Sequence, residues 1–322
     1  MTDAPARTLR LGTRRSTLAM TQSGHVAEAI RALGRSVEIV EIVSEGDIST
    51  APLDAMGGTG VFATALRHAL RGGRIDLAVH SLKDLPTAPE DGLVVAATPA
   101  RQDPRDVLVA RDGLTLAELP AGAKVGTGSP RRSAQIAALG LGVTVVGLRG
   151  NVDTRIGRVR DGDLDAVVLA RAGLARLGRL SEATDVLDPI QVLPAPGQGA
   201  LAIECRADDD EVVALLARVD DADTRVCVYA ERALLATLEA GCSAPVGALA
   251  EVVEGSDGPE LSLRAFVGSA DGSFDLRRSL TGTVDDPSGL GARLAALLLQ
   301  DGAADLLPAQ PRPTSPQTEP ST

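Results

Sequence analysis

The sequence predicts an α/β fold, and three observations predict it. Short runs of Val, Leu, Ile and Ala recur through the first 200 residues, separated by segments whose apolar residues fall at helical spacing. Polar, glycine-bearing turns join the two kinds of segment. After about residue 220 the texture changes to one helix, three strand-like runs and a final helix, which reads as a small α+β domain.

In order, the predicted strands are Leu9–Leu11, Val37–Val43, Ile75–Val79, Val94–Ala97, Val107–Val109, Val143–Leu148 and Ala166–Leu169. Val61, Phe62, Ala65, Leu66, Ala69 and Leu70 lie at helical spacing, and Gly72-Gly73 stops that helix. Strand, polar turn and helix then recur, which puts functional loops at the carboxyl ends of parallel strands. In the last third a helix over Val226–Leu238 leads through Gly241-Cys242 to strands Val246–Val252, Leu261–Val267 and Phe274–Leu280. Pro287–Gln300 closes the folded part, and the proline-rich remainder from Pro308 has no large apolar residue to bury.

Composition narrows the function. The chain has no Trp, one Tyr and three Phe, so its core is aliphatic and aromatic stacking is not a major binding mode. A net charge of −11 argues against nucleic-acid or anionic-membrane binding. From Lys124 to Arg176, however, nine basic residues face four acidic ones, a local +5 that leaves −16 for the rest. That pattern points to a local anion site inside an acidic protein. Cys205, Cys227 and Cys242 are neither a disulfide framework nor a zinc set. Without a membrane-length apolar run or a signal-peptide core, the cytoplasm is the expected location.

Three segments carry chemistry. The strand ending at Val79 runs into His80-Ser81-Leu82-Lys83-Asp84-Leu85-Pro86, where a cation and a carboxylate sit side by side. Two readings fit: a surface ion pair, or a cleft carboxylate that stabilises a cation or moves a proton. Lys124-Val125-Gly126-Thr127-Gly128-Ser129-Pro130-Arg131-Arg132 opens a helix, with Ser129 as N-cap and Pro130 in the first turn. Free N–H groups and two arginines there suit a carboxylate or phosphate, although a capped helix with solvated arginines also fits. Arg131 occupies the place of the third glycine of a dinucleotide fingerprint, and the Gly-Lys-Ser/Thr of a P-loop is missing. Leu148-Arg149-Gly150-Asn151-Val152-Asp153-Thr154-Arg155 repeats the design, and two such turns suggest a ligand with several carboxylates. Cys242, beside Gly241 in a turn, is either accessible or a small buried hydrophobe.

Taken in order, these segments resemble the porphobilinogen deaminase family from about Leu9 to residue 300. The resemblance rests on Arg10 through Ala19, Asp76 through Pro86, Gln102-Asp103-Pro104-Arg105-Asp106 and Val125 through Gln135. It continues through Arg149–Arg155, Ala172–Gly178, Pro194-Ala195-Pro196-Gly197-Gln198-Gly199-Ala200 and Gly241-Cys242. It implies two lobes like those of type II periplasmic binding proteins plus a small C-terminal α+β domain. Residues 1–102 and 203–220 would form the first lobe, 103–202 the second with the arginine-rich anion site, 221–306 the third domain, and 307–322 a disordered tail.

The implied activity is head-to-tail condensation of four porphobilinogen molecules, with loss of ammonia, to hydroxymethylbilane. The resemblance makes Asp84 the catalytic group and dipyrromethane the cofactor, covalently attached to Cys242 and held by Lys83, Ser129, Arg131 and Arg132. Arg14, Ser16, Ser81, Thr127, Arg149, Arg155, Arg176 and Gln198 would bind substrate. No metal, nucleic acid or membrane is implied, and a monomer is expected. Up to six pyrroles carry twelve carboxylates, which accounts for a cationic segment in an acidic chain. The sequence departs from the family pattern at Gly57-Gly58-Thr59-Gly60 and at Glu45, where basic residues are common. A two-lobed binding or sensor protein for an acidic small molecule is the alternative reading.

Overall fold

A computed structural model describes residues 7–43, 60–241, 244–256 and 258–307. Three sheets organise the chain. The first takes β1 (Leu9–Thr13), β2 (Val37–Glu41), β3 (Leu77–Ser81), β4 (Leu93–Ala97) and β10 (Leu201–Arg206), in the order β2-β1-β3-β10-β4. Two helices, α1 (Thr17–Ala32) and α2 (Gly60–Arg71), interrupt it. The second sheet takes β5 (Asp106–Ala110), β6 (Lys124–Thr127), β7 (Thr144–Gly147), β8 (Ala166–Ala170) and β9 (Asp185–Val186), in the order β7-β6-β8-β5-β9. With it go α3 (Pro130–Ala138), α4 (Val152–Arg160) and α5 (Arg171–Arg176). After α6 (Asp210–Leu216), the last unit joins α7 (Ala222–Thr237) and α8 (Pro287–Gln300) to a meander of β11 (Val246–Gly255), β12 (Gly258–Gly268) and β13 (Asp275–Thr283).

Every strand expected from the sequence is present, but the sheets are mixed. β1 is parallel to β2 and β3, and β6 is parallel to β7 and β8. β10 runs antiparallel to β3 and β4, and β5 antiparallel to β8 and β9. The chain leaves the first sheet after β4, builds the second and re-enters through β10, so the returning strand points the other way. The strand expected at Ile75–Val79 pairs two residues later. Asp76, just before it, still bonds to β1: its N–H donates to the Arg10 carbonyl, and its carboxylate accepts from the Arg10 N–H. His80 and Ser81 therefore lie on β3, not in the turn.

Packing is aliphatic, as the composition requires. Leu9, Leu11, Leu77, Val79 and Ile203 cover α1 through Val26 and Ile30. Leu234 of α7 and Leu294 and Leu298 of α8 pack on Leu261 and Leu263 of the meander. Each such side chain contributes about 1.5–3 kcal/mol when fully buried, so many small aliphatics replace a few aromatics. The exception is Phe266, fully buried among Ala134, Leu193 and Leu249, where the meander meets α3 of the second sheet. The expected disordered tail from 308 and the 44–59 segment lie outside the described residues.

Candidate active site

The carboxyl ends of β1 and β3 lie together because the two strands pair in parallel, Gly12 opposite Ala78. Arg14 and Ser16 therefore share one sheet edge with the turn that follows Ser81. Ser16 N-caps α1, its hydroxyl accepting the Ala19 N–H at 3.3 Å. Ser81 exchanges hydrogen bonds with Gln22 of α1 at 3.0 and 3.3 Å. A single 3-10 turn, Leu82–Asp84, comes next. Leu82 and Leu85 are buried and pin the turn, which leaves the Asp84 carboxylate exposed. Among the described residues no hydrogen bond or ion pair occupies it, so it is available to a ligand.

Lys83 turns inward. Its Nζ donates to Gln198 Oε1 at 3.4 Å, and burial pulls the ammonium down to about 8, against the opposing charge of Asp84. Gln198 is itself buried, and its Nε2 donates to the Pro104 carbonyl and to Asp106 Oδ1, both at 2.7 Å. Asp106, at the start of β5 and fully buried, is the hub of the cluster. Arg131 Nη2 reaches its Oδ2 at 2.8 Å, and Arg132 Nη2 reaches Oδ1 at 2.7 Å. Burial opposes its ionisation, but the two guanidiniums hold the carboxyl well below the usual carboxylate range.

This arrangement excludes one of the two readings of the helix start, that of solvated arginines. Arg131 and Arg132 are not open to solvent at the helix start but buried, each with one nitrogen on Asp106. One carboxylate cannot neutralise two guanidiniums and a neighbouring ammonium, so the cluster keeps a positive excess. Nε of Arg131 and Nε of Arg132 are both buried with no hydrogen-bond partner among the described residues. A buried N–H without an acceptor costs about 1–3 kcal/mol, which an acidic or carbonyl-bearing ligand relieves. The expected N-cap holds in position but not in bonding. α3 starts at Pro130 after Ser129, but the Ser129 side chain makes no capping bond; its N–H donates to Thr127 Oγ1 at 3.2 Å.

The remaining candidates border the cluster. Arg149 follows β7, whose Gly147 pairs with Thr127, so it shares an edge with Ser129. Arg155 donates to the Gly150 carbonyl at 2.8 Å, and burial together with Arg132 lowers its guanidinium. Arg176 donates to the Gly199 carbonyl at 2.7 Å, and burial brings it to about 10. It also lines a cavity of about 120 Å³ with His25, Gln102 and Leu201. Cys242 lies outside the described residues. Cys205 and Cys227 are buried, and burial pushes both thiols up to about 12, so neither presents a thiolate at neutral pH.

Sequence reading did not single out Asp106, although it stands in the quoted Gln102–Asp106 segment; its partners lie 25 and 26 positions away. The crossover beside the site was expected near Asp103 and Gln198, but the contacts that fix it were not. Arg101 donates to both oxygens of the fully buried Glu231 at 2.6 and 3.0 Å and to the Gln198 carbonyl at 2.8 Å. Gly199, at φ +90°, lets the two crossing segments touch, since a Cβ there would stand 2.3 Å from the Gln102 carbonyl oxygen.

Comparison with known proteins bears on this geometry. Residues 9–214 match the family model described as porphobilinogen deaminase, dipyromethane cofactor binding domain, and residues 225–300 match that of the porphobilinogen deaminase C-terminal domain. The porphobilinogen deaminase of Nocardia farcinica is 59% identical over 304 residues, covering 93% of this chain and 88% of that one. That of Mycobacterium tuberculosis is 58% identical, covering 93% and 98%. Among solved structures, an arginine-specific periplasmic binding protein of Salmonella typhimurium aligns with a TM-score of 0.38 at 17% identity, over 66% of this chain and 92% of that one. A YaeC-family lipoprotein of Enterococcus faecalis aligns with 0.39 at 13%, over 66% and 91%. The matched models take in both mixed sheets, the cationic cluster and the α7–α8 unit, and the chain belongs to the porphobilinogen deaminase family.

Proposed function

We propose that this enzyme is a transferase that condenses four porphobilinogen molecules head to tail, releasing ammonia and giving hydroxymethylbilane. The observation that carries the reading is the exposed Asp84 carboxylate beside a cationic cluster of half-buried Lys83 and buried Arg131 and Arg132.

A dipyrromethane fits the residues. Its acidic side chains match the positive excess, and the two orphaned Nε–H donors of Arg131 and Arg132 need acceptors. Lys83, Ser129, Arg131 and Arg132 would hold it, with Cys242 as its thioether anchor. When bound, the group supplies the pyrrole carbon to which substrate is joined. Asp84 accepts the pyrrole N–H of the incoming substrate and stabilises the cation left when ammonia departs. Arg14, Arg149, Arg155 and Arg176 pair with acetate and propionate groups, assisted by Ser16, Ser81, Thr127 and Gln198. We place the enzyme in the cytoplasm as a monomer; among the described residues no helix is long and apolar enough to cross a membrane.

Asp84→Ala tests the assignment. Losing a preorganised charge at a developing cation costs about 10²–10³ in turnover, while an exposed side chain contributes little to packing. Turnover should fall by that factor with an unchanged melting temperature. Near-normal turnover would remove Asp84 from the mechanism.

A further inference from the structure

The turn that bears Asp84 is held from outside its own lobe. Arg232, half-buried on α7 of the C-terminal unit, donates Nη1 to the Leu85 carbonyl at 2.9 Å and Nη2 to the Pro86 carbonyl at 2.6 Å. Nη1 also stands 3.5 Å from the Leu82 carbonyl. The Leu82 carbonyl already accepts the Leu85 N–H within the 3-10 turn, whereas the Leu85 and Pro86 carbonyls follow that turn with no further helix to satisfy them. A planar, permanently charged guanidinium suits such a set because its donors are fixed relative to one another.

The base of this clamp is itself fixed. Glu231, the preceding residue of α7, accepts the N–H of Gly197 at 2.6 Å and that of Ala250 at 2.9 Å, besides the Arg101 guanidinium. Gly197, at φ +73°, packs on the same turn, where an added Cβ would lie 3.2 Å from Leu82 Cγ and 3.4 Å from the Lys83 nitrogen. Two consecutive residues of one helix thus hold the crossover segment and the Asp84 turn in a closed circuit of contacts.

We infer that Arg232 is a positioning residue for the condensation: from the C-terminal unit it fixes the Leu82–Pro86 backbone and so aims the Asp84 carboxylate. The inference rests on the role proposed for Asp84. Arg232 need not touch substrate, so its removal should change the rate of the chemical step and leave substrate affinity nearly intact.

The test uses the holoenzyme with Arg232→Ala and Arg232→Lys, measured beside the unaltered protein. Charge-assisted hydrogen bonds hold the turn, so losing them should slow turnover by about tenfold or more. In Arg232→Ala, kcat falls by that factor, KM stays within about twofold and bound-cofactor mass is retained. The Leu85 amide, bonded to the Leu82 carbonyl at 3.1 Å, exchanges its hydrogen faster while amides of β1 and β6 do not. Arg232→Lys, which keeps the charge without the fork, recovers part of kcat. Unchanged kcat, or a fall in kcat matched by loss of the bound group, overturns the inference. If Arg232→Ala does not fold, the lysine variant decides: reduced kcat at constant KM supports the clamp, and full kcat refutes it. An unaltered protein that fails to turn over porphobilinogen would instead sink the proposed function itself.

Discussion

At the scale of single residues, the site is a contest between burial and charge. Lys83 sits at about 8, below its ordinary 10.5, because burial outweighs the attraction of Asp84. Below about 8 the native and unfolded chains both carry the proton, and the full desolvation cost is present. As pH rises from about 8 toward the ordinary value the native state sheds the proton first, and that cost is relieved. Stability therefore gains while the cation is lost. Capture of the cofactor by apo-protein, followed by mass, should decline as pH rises through about 8, and Lys83→Arg should flatten the decline. An arginine variant with the same decline would mean that another group titrates. Asp106 behaves oppositely: its depressed carboxyl stays ionised at neutral pH, so its contribution is complete above the ordinary carboxylate range and is lost in acid. Asp106→Asn leaves two buried guanidiniums uncompensated and should cost about 3–5 kcal/mol, measured by denaturant unfolding. A cost below about 1 kcal/mol would contradict the hub described for this residue.

At the scale of elements, the strands and helices were legible where their signal is local. Pro130 opens α3 and Pro287 opens α8, and Leu234, Leu294 and Leu298 face the meander as their spacing suggests. β10 was not legible. It carries Glu204 in its middle, whose charge reads as surface, yet that carboxylate is buried against Arg67 at 2.9 Å. The partner that makes burial tolerable lies 137 positions away. The inward turn of Arg131 and Arg132 was hidden for the same reason, since local spacing can place arginines at a helix start without naming Asp106. Contacts between elements are testable as well. Phe266 is fully buried between the meander and α3, and Arg277 stacks over its ring at 4.9 Å. Phe266→Ala should cost about 3–5 kcal/mol, read from denaturant unfolding; a loss under about 1 kcal/mol would show that this contact is dispensable.

At the scale of the whole molecule, a chain of net charge −11 concentrates cations at one place. The α7–α8 unit touches the first sheet's turn through Arg232, the crossover through Glu231 and the second sheet's α3 through Phe266. The family resemblance was legible from short motifs, whereas this three-way bracing was not, because each contact joins residues far apart in sequence. The site as proposed depends on a covalent cofactor, for which Cys242, next in sequence to Gly241, is the proposed anchor. The most direct measurement is the intact mass of the purified 322-residue chain after exposure to porphobilinogen. The expected result is an excess of two linked pyrrole units, absent from Cys242→Ser and retained in Cys205→Ser and Cys227→Ser. An unshifted mass, or an excess that survives in Cys242→Ser, would contradict it.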